Sequence, residues 1–207
     1  MQNHRFTLQQ ATRLSVAVFL SCASLDVGGV AVAAETDPRL DMVAELQAAG
    51  PQPSLGDQAN VFSRLVGAWD IGYAFFSKDG ATTLATGAFS AGWVMDGRVM
   101  QCLYTIDPSA TRKEKFIGTS LSYFDVKSQT WRLFFIDPEN DAVIRVTGGA
   151  VGNDRIMFLT QETDGKTYRW SFNDIRPDAF VYRDEISRDG GNTWTLREED
   201  HMKRRAP

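Results

Sequence analysis

The chain has 207 residues, 43% hydrophobic and 23% charged, a balance that supports an ordinary folded core and excludes a disordered or collagen-like chain. Its formal net charge of -4 and its lack of nucleic-acid motifs argue against a nucleic-acid partner, because neutralising phosphates requires a basic surface.

Arg5 and Arg13 precede the apolar run Leu14-Ser15-Val16-Ala17-Val18-Phe19-Leu20, and small residues follow it. This order predicts a signal peptide over residues 1–34 and export to the periplasm or beyond. Ala31-Val32-Ala33-Ala34 offers one cleavage region and Ala23 an earlier one. Phe19-Leu20-Ser21-Cys22 approaches a lipoprotein box, but Phe19 stands where Leu is usual, so release is preferred over anchoring through Cys22. The apolar run falls short of the roughly twenty residues that cross a bilayer, so no integral membrane association is expected. If Cys22 leaves with the leader, Cys102 has no disulfide partner and reads as a small buried hydrophobe.

Residues 35–60 read as a helical segment and linker. Asp37 can cap a helix, Pro38 suits its first turn, Leu40, Val43 and Leu46 recur at helical spacing, and Gly50-Pro51 ends it. Residues 61–207 read as the main domain. A helical turn carrying Val61, Phe62 and Leu65 leads into Gly67-Ala68-Trp69 and is expected to plug one end of a barrel.

From Trp69 onward the pattern predicts ten strands: 69–77, 83–94, 98–107, 116–124, 130–136, 141–149, 155–162, 166–174, 179–187 and 193–202. Their joints, Lys78-Asp79-Gly80, Asp96-Gly97, Gly152-Asn153-Asp154, Asp164-Gly165 and Asp189-Gly190-Gly191-Asn192, are residues that tolerate positive φ. No βαβ spacing intervenes. The expected fold is therefore all-β, a single antiparallel barrel of eight to ten strands behind a short helical segment. The loop from Asp107 to Glu114 is the longest and most charged, which marks it as a flap over an opening. Lys203-Arg204-Arg205 reads as a solvated tail.

Period two assigns an interior face to each strand. It groups Trp69, Ile71 and Tyr73; Phe89, Trp93 and Met95; Met100, Cys102 and Tyr104; Trp131, Leu133 and Phe135; and Trp170 with Phe172. So many rings either fill the barrel or surround a cavity for an aromatic molecule. Arg98, Ser122, Tyr104, Tyr182 and Asp184 share parity with apolar neighbours and are the polar groups able to orient a ligand. Asp184 is expected to pair with Arg98 or Arg183, since an isolated buried charge is costly. The candidate ligand-binding residues are Trp93, Arg98, Tyr104, Trp131, Trp170, Tyr182 and Asp184.

The two histidines, His4 and His201, fall in the leader and near the basic end, which leaves no Ser-His-Asp or histidine-rich metal pattern. No glycine run matches a phosphate loop, so no metal and no cofactor is expected. Ser187-Arg188-Asp189-Gly190-Gly191-Asn192-Thr193-Trp194 fits the Asp-box spacing, read here as a hairpin-stabilising turn.

The stretch Gly92-Trp93-Val94-Met95-Asp96-Gly97-Arg98-Val99-Met100-Gln101 resembles a family of uncharacterised proteins with a calycin-like barrel. So do Gly118-Thr119, Tyr123-Phe124-Asp125, Trp131-Arg132, the run Arg169 to Ile175 and the Ser187 to Trp194 turn. Gly67-Ala68-Trp69 is similar to a lipocalin opening. The resemblance implies a barrel and a ligand, not a reaction. Against the family pattern, an acidic residue is replaced by Cys102, a basic one by Ser122 and a Trp by Phe135, so any polar constellation of the relatives is depleted here.

The expected function is the binding of a small hydrophobic or aromatic molecule by an exported barrel. A cofactor-free isomerase, cyclase or lyase would use Arg98, Tyr104, Tyr182 or Asp184 to polarise its substrate. A structural or envelope interaction protein would have a filled interior.

Overall fold

A computed structural model describes residues 38–161 and 165–206. The expected leader, with His4 and Cys22, lies outside the described residues, as does Asp164 of one predicted turn. Ten strands alternate with tight turns: β1 (Gly67–Phe76), β2 (Thr82–Val94), β3 (Val99–Ile106), β4 (Phe116–Asp125), β5 (Thr130–Asp137), β6 (Ala142–Val151), β7 (Arg155–Gln161), β8 (Thr167–Asn173), β9 (Ala179–Ser187) and β10 (Thr195–Arg204). Each pairs antiparallel with its sequence neighbours, and β1 pairs with β10, so the sheet closes on itself without a free edge. The fold is all-β, as the turn chemistry predicted. Gly97 shows why one turn needs glycine: its φ is +72°, and a Cβ there would lie 2.3 Å from the Gly50 carbonyl oxygen.

Up-and-down connectivity gives the barrel two distinct ends. One carries the turns at 95–98, 126–129, 152–154 and 174–178; the other carries 77–81, 107–115, 138–141 and 188–194. The first end is plugged. Two helices precede β1, α1 (Pro38–Leu46) and α2 (Asn60–Ser63), with a 3-10 segment (Pro53–Ala59) between them. Phe62 of α2 meets Trp131 edge-on at 4.7 Å and stacks on Phe158 at 6.1 Å, and Leu65 is wholly buried. These contacts close the barrel floor with apolar surface, as expected of this turn.

α1 is not held through its apolar residues. Val43 and Leu46 are 46% and 37% exposed, and the segment attaches through backbone instead, with Ala48 N–H donating to Trp93 O and Gln47 bridging Val94.

Two sequence expectations are corrected. Met95 does not join Phe89 and Trp93 inside, because β2 ends at Val94 and Met95 turns outward, 53% exposed. Arg204 is no solvated tail residue: its guanidinium stacks 3.9 Å from the Trp69 ring centroid and donates to Val66 O and Arg64 O. The last strand thus caps the exposed carbonyls at the end of α2 while covering an aromatic face.

Candidate functional site

The unplugged half of the barrel is hollow. A cavity of about 860 Å³ opens between the turns at that end. Residues of the 107–115 loop line its mouth, where Arg112 Nη1 donates to both carboxylate oxygens of Glu139, at 2.7 and 2.8 Å. The loop read as a flap therefore does stand at the opening.

The site is best described by the rungs that cross β8, β9, β10 and β1. Cross-strand pairing sets Trp170 beside Asp184, Asp184 beside Glu198, and Glu198 beside Phe75. The next rung runs Phe172, Tyr182, Asp200, Tyr73. Asp184 and Glu198, directly opposite, lie roughly 4.5 to 5.5 Å apart at Cβ, and Asp200, two residues along the same face of β10, lies on the diagonal to Asp184 at roughly 7 to 8 Å, so the three carboxyls share one wall with aromatic rings on both flanks. The opposite wall is largely apolar, built from Phe116, Leu133, Phe135 and Ile144 with Tyr104 and the small polar Ser120.

A bulge decides the charge pattern. Between Leu196 and Glu198 the register of β10 against β9 shifts, so Glu198 and Asp200 point inward with Met202, while Arg197 folds over the mouth side. Arg197 Nη2 lies 3.2 Å from Asp184 Oδ2, and its guanidinium sits 5.1 Å from the Tyr168 ring centroid. Asp184 thus pairs with neither Arg98 nor Arg183. Arg183 points outward to Glu199 at 2.7 Å, and Arg98 to Asp96 at 3.6 Å.

Burial pushes the Asp184 carboxyl up to about 6, against the opposing pull of Arg197 and Trp170. Glu198 and Asp200 are also raised, first by burial and then by the other carboxylates. The Tyr73, Tyr104 and Tyr182 hydroxyls are held above their ordinary range by burial. Asp184 and Asp200 are only 6% and 2% exposed, yet each keeps one carboxylate oxygen without a hydrogen bond, as does the buried Ser120 hydroxyl. Unsatisfied buried groups that line a cavity are groups a guest can satisfy.

Of the candidate residues, the cavity gathers Tyr104, Trp170, Tyr182 and Asp184. Trp93 and Trp131 face inward but sit in the plugged half, 6.4 Å from each other, with Trp131 packed under Phe62. Arg98 is exposed on the turn at that same end. Parity had named the face of each strand and left the depth along the barrel open. Glu198, Asp200, Arg197 and Ser120 escaped sequence reasoning. Arg197-Glu198-Glu199-Asp200 has the composition of a solvated strand face, and the available signal was the parity of Glu198 and Asp200 with Met202.

Two motifs prove structural. Cys102 is buried, its thiol pushed up to about 12 by burial. In the Asp-box turn, Thr193 N–H and hydroxyl donate to Asp189 at 2.9 and 2.6 Å, and the Trp194 indole donates to Gly191 O. No set of three His, Cys, Asp or Glu side chains among the described residues converges as a metal site would, and no described helix is long and apolar enough to cross a membrane.

No protein-family model and no curated protein matches the chain. Solved structures do. The S-type phycobiliprotein lyase CPES from Guillardia theta aligns over 70% of this chain and 91% of its own, with TM-score 0.50 and 11% identity. Rv2717c from M. tuberculosis aligns over 75% of this chain and 99% of its own, with TM-score 0.53 and 14% identity. The fold is a calycin-like barrel. At these identities the likeness is one of architecture, and the residues that line this cavity have to speak for themselves.

Proposed function

We propose that the protein is a carrier or receptor that encloses a small, largely aromatic or hydrophobic molecule in the open half of its barrel. One observation carries this reading: a space of about 860 Å³ between aromatic walls, with buried carboxylate and hydroxyl oxygens left unpaired at its lining. A volume of that size is typical of small-molecule sites, and a few polar groups among apolar walls fix the orientation of a guest. A filled structural barrel would have placed side chains where this space lies. The calycin-like architecture supports the reading, since barrels of this size accommodate one small ligand.

The same rungs favour a second reading, in which the cavity is catalytic. Asp184 beside the buried carboxyls of Glu198 and Asp200, all three raised, is a candidate acid-base set for a cofactor-free isomerisation, cyclisation or elimination. Turnover of a bound molecule, abolished in Asp184→Asn while binding persists, separates this from simple carriage.

Export belongs to the proposal as well. It rests on the basic residues and apolar run within residues 1–34, and recovery of intact Met1 on N-terminal sequencing of the native protein would count against it. Binding is tested by native mass spectrometry of protein purified from the cells that make it, and by titration with the neutral dye N-phenyl-1-naphthylamine. A retained small mass or saturable dye fluorescence is the expected result. Absence of both overturns the binding reading.

A further inference from the structure

We infer that the inner end of the ligand is a cation, a protonated amine or amidine, held by Asp184, Glu198 and Asp200 within a frame of aromatic rings. The inference rests on the binding reading above and names the chemical class that the site selects.

Three observations converge on it. The rungs put three carboxyls next to one another at the cavity wall, and Arg197 spends its reach on Asp184 Oδ2. The second Asp184 oxygen and one Asp200 oxygen are left unpartnered, although their residues are more than nine-tenths buried and line the cavity. The flanks are rings, Trp170 and Phe75 on one rung and Tyr182 and Tyr73 on the next. Carboxylates among aromatic faces are the environment that recognises an ammonium group, because the ring quadrupole and the carboxylate charge both favour a desolvated cation. An anionic guest would meet the same carboxylates with repulsion.

The other titratable groups facing the cluster are Tyr73 on β1, Tyr104 on β3, Tyr182 on β9 and Arg197 on β10 itself. Arg112, Lys113, Glu114 and Asp137 belong to the mouth. The outward-facing Glu185 and Glu199 act on the cluster only through space, and both are already paired with arginines. Burial first, and then repulsion among the carboxyls, favours the protonated form of Glu198 and Asp200, and an entering cation favours the ionised form. Binding is therefore coupled to proton release.

The test uses three probes that share one ring and differ at the terminus: 2-(1-naphthyl)ethylamine, 2-(1-naphthyl)ethanol and 1-naphthylacetate. Each is titrated calorimetrically into the full protein at about pH 8, in two buffers of different ionisation heat. The amine is expected to bind at least about tenfold more tightly than the alcohol, as a desolvated cation–ring and charge contact of this kind implies. It should release protons, and its advantage should shrink towards about pH 5, where the carboxyls are protonated. The doubly isosteric E198Q/D200N variant should retain alcohol binding and lose the amine preference, with D184N as a second variant should the first fail to fold. If the alcohol or the acid binds as well as the amine, or the preference survives both variants, the cation assignment is wrong while the cavity reading stands. If none of the three binds, both fall.

Discussion

Replacing Asp184 by Asn should change how stability responds to pH, by an amount the structure sets. The folded protein raises this carboxyl from 3.8 to about 6. A group whose folded pKa is raised supplies stability that is fully present below its unfolded pKa and lost as pH climbs through the folded one. At about 1.36 kcal/mol per pH unit the whole loss is about 3 kcal/mol, of which about 2 kcal/mol falls between pH ~4.5 and pH ~8. Glu198 and Asp200, also raised, push in the same direction over that window. Asp125 and Asp189, both lowered to about 2, act elsewhere: their contribution is lost only as pH falls below about 4. Urea denaturation of both proteins at several pH values isolates the Asp184 share. The D184N stability relative to wild type should improve by about 2 kcal/mol from pH ~4.5 to pH ~8, a midpoint change of about 1 M at an ordinary urea slope. Subtraction cancels the groups that do not feel Asp184, while Glu198 and Asp200, relieved of its repulsion in the variant, move the difference in the same direction. A difference that stays flat across the window would falsify the account of Asp184 as a buried, reluctantly ionised group.

Trp131→Ala should cost about 3 to 5 kcal/mol of stability, since it removes a buried ring from beneath Phe62, yet leave ligand affinity of the folded fraction unchanged. Trp170→Ala should do the reverse, weakening dye binding measurably at a smaller stability cost, because that ring faces the cavity; equal effects of the two variants on affinity would contradict the division into plugged and open halves. Gly148→Ala should block or severely impair folding, as a Cβ there would lie 1.9 Å from the Met157 carbonyl oxygen across the sheet, and a normal thermal melt would show that contact to be soft. Cys102 should resist a thiol reagent in the native protein at about pH 8 and react at once in urea, with rapid native labelling pointing to an opening between β3 and β4.

Much of the fold was legible because hairpin turns carry their own chemistry. Asp96-Gly97 and Asp189 through Asn192 announce where strands stop, and alternation then sorts Trp69, Met100 and Leu133 to the interior. Distance along the barrel axis leaves no comparable trace, since a Trp at the start of β5 and one in the middle of β8 look alike in sequence. Only the pairing register shows that Trp131 meets the α2 plug while Trp170 meets Asp184. The bulge after Leu196 was hidden for a related reason: the charged run Arg197-Glu198-Glu199-Asp200 looks solvated by composition, and only the parity of Glu198 and Asp200 with Met202 hints at which of them face in. Arg204 was misread because a basic residue near other basic residues looks solvated until a ring and two carbonyls are brought to it from over a hundred positions away.

The seam between β1 and β10 carries a cost in time. Arg205 bonds Asp70 across 135 positions, so the step that closes the cylinder is the most non-local pairing in the strand order, and such topologies fold slowly. Until β10 has been synthesised and docked, the growing sheet has two naked borders, each a template for association with another unfinished copy. A chain cut short before β10 should therefore be lost to aggregation and not persist as a weaker binder, and its yield should depend on concentration and on chaperones that shield strand borders.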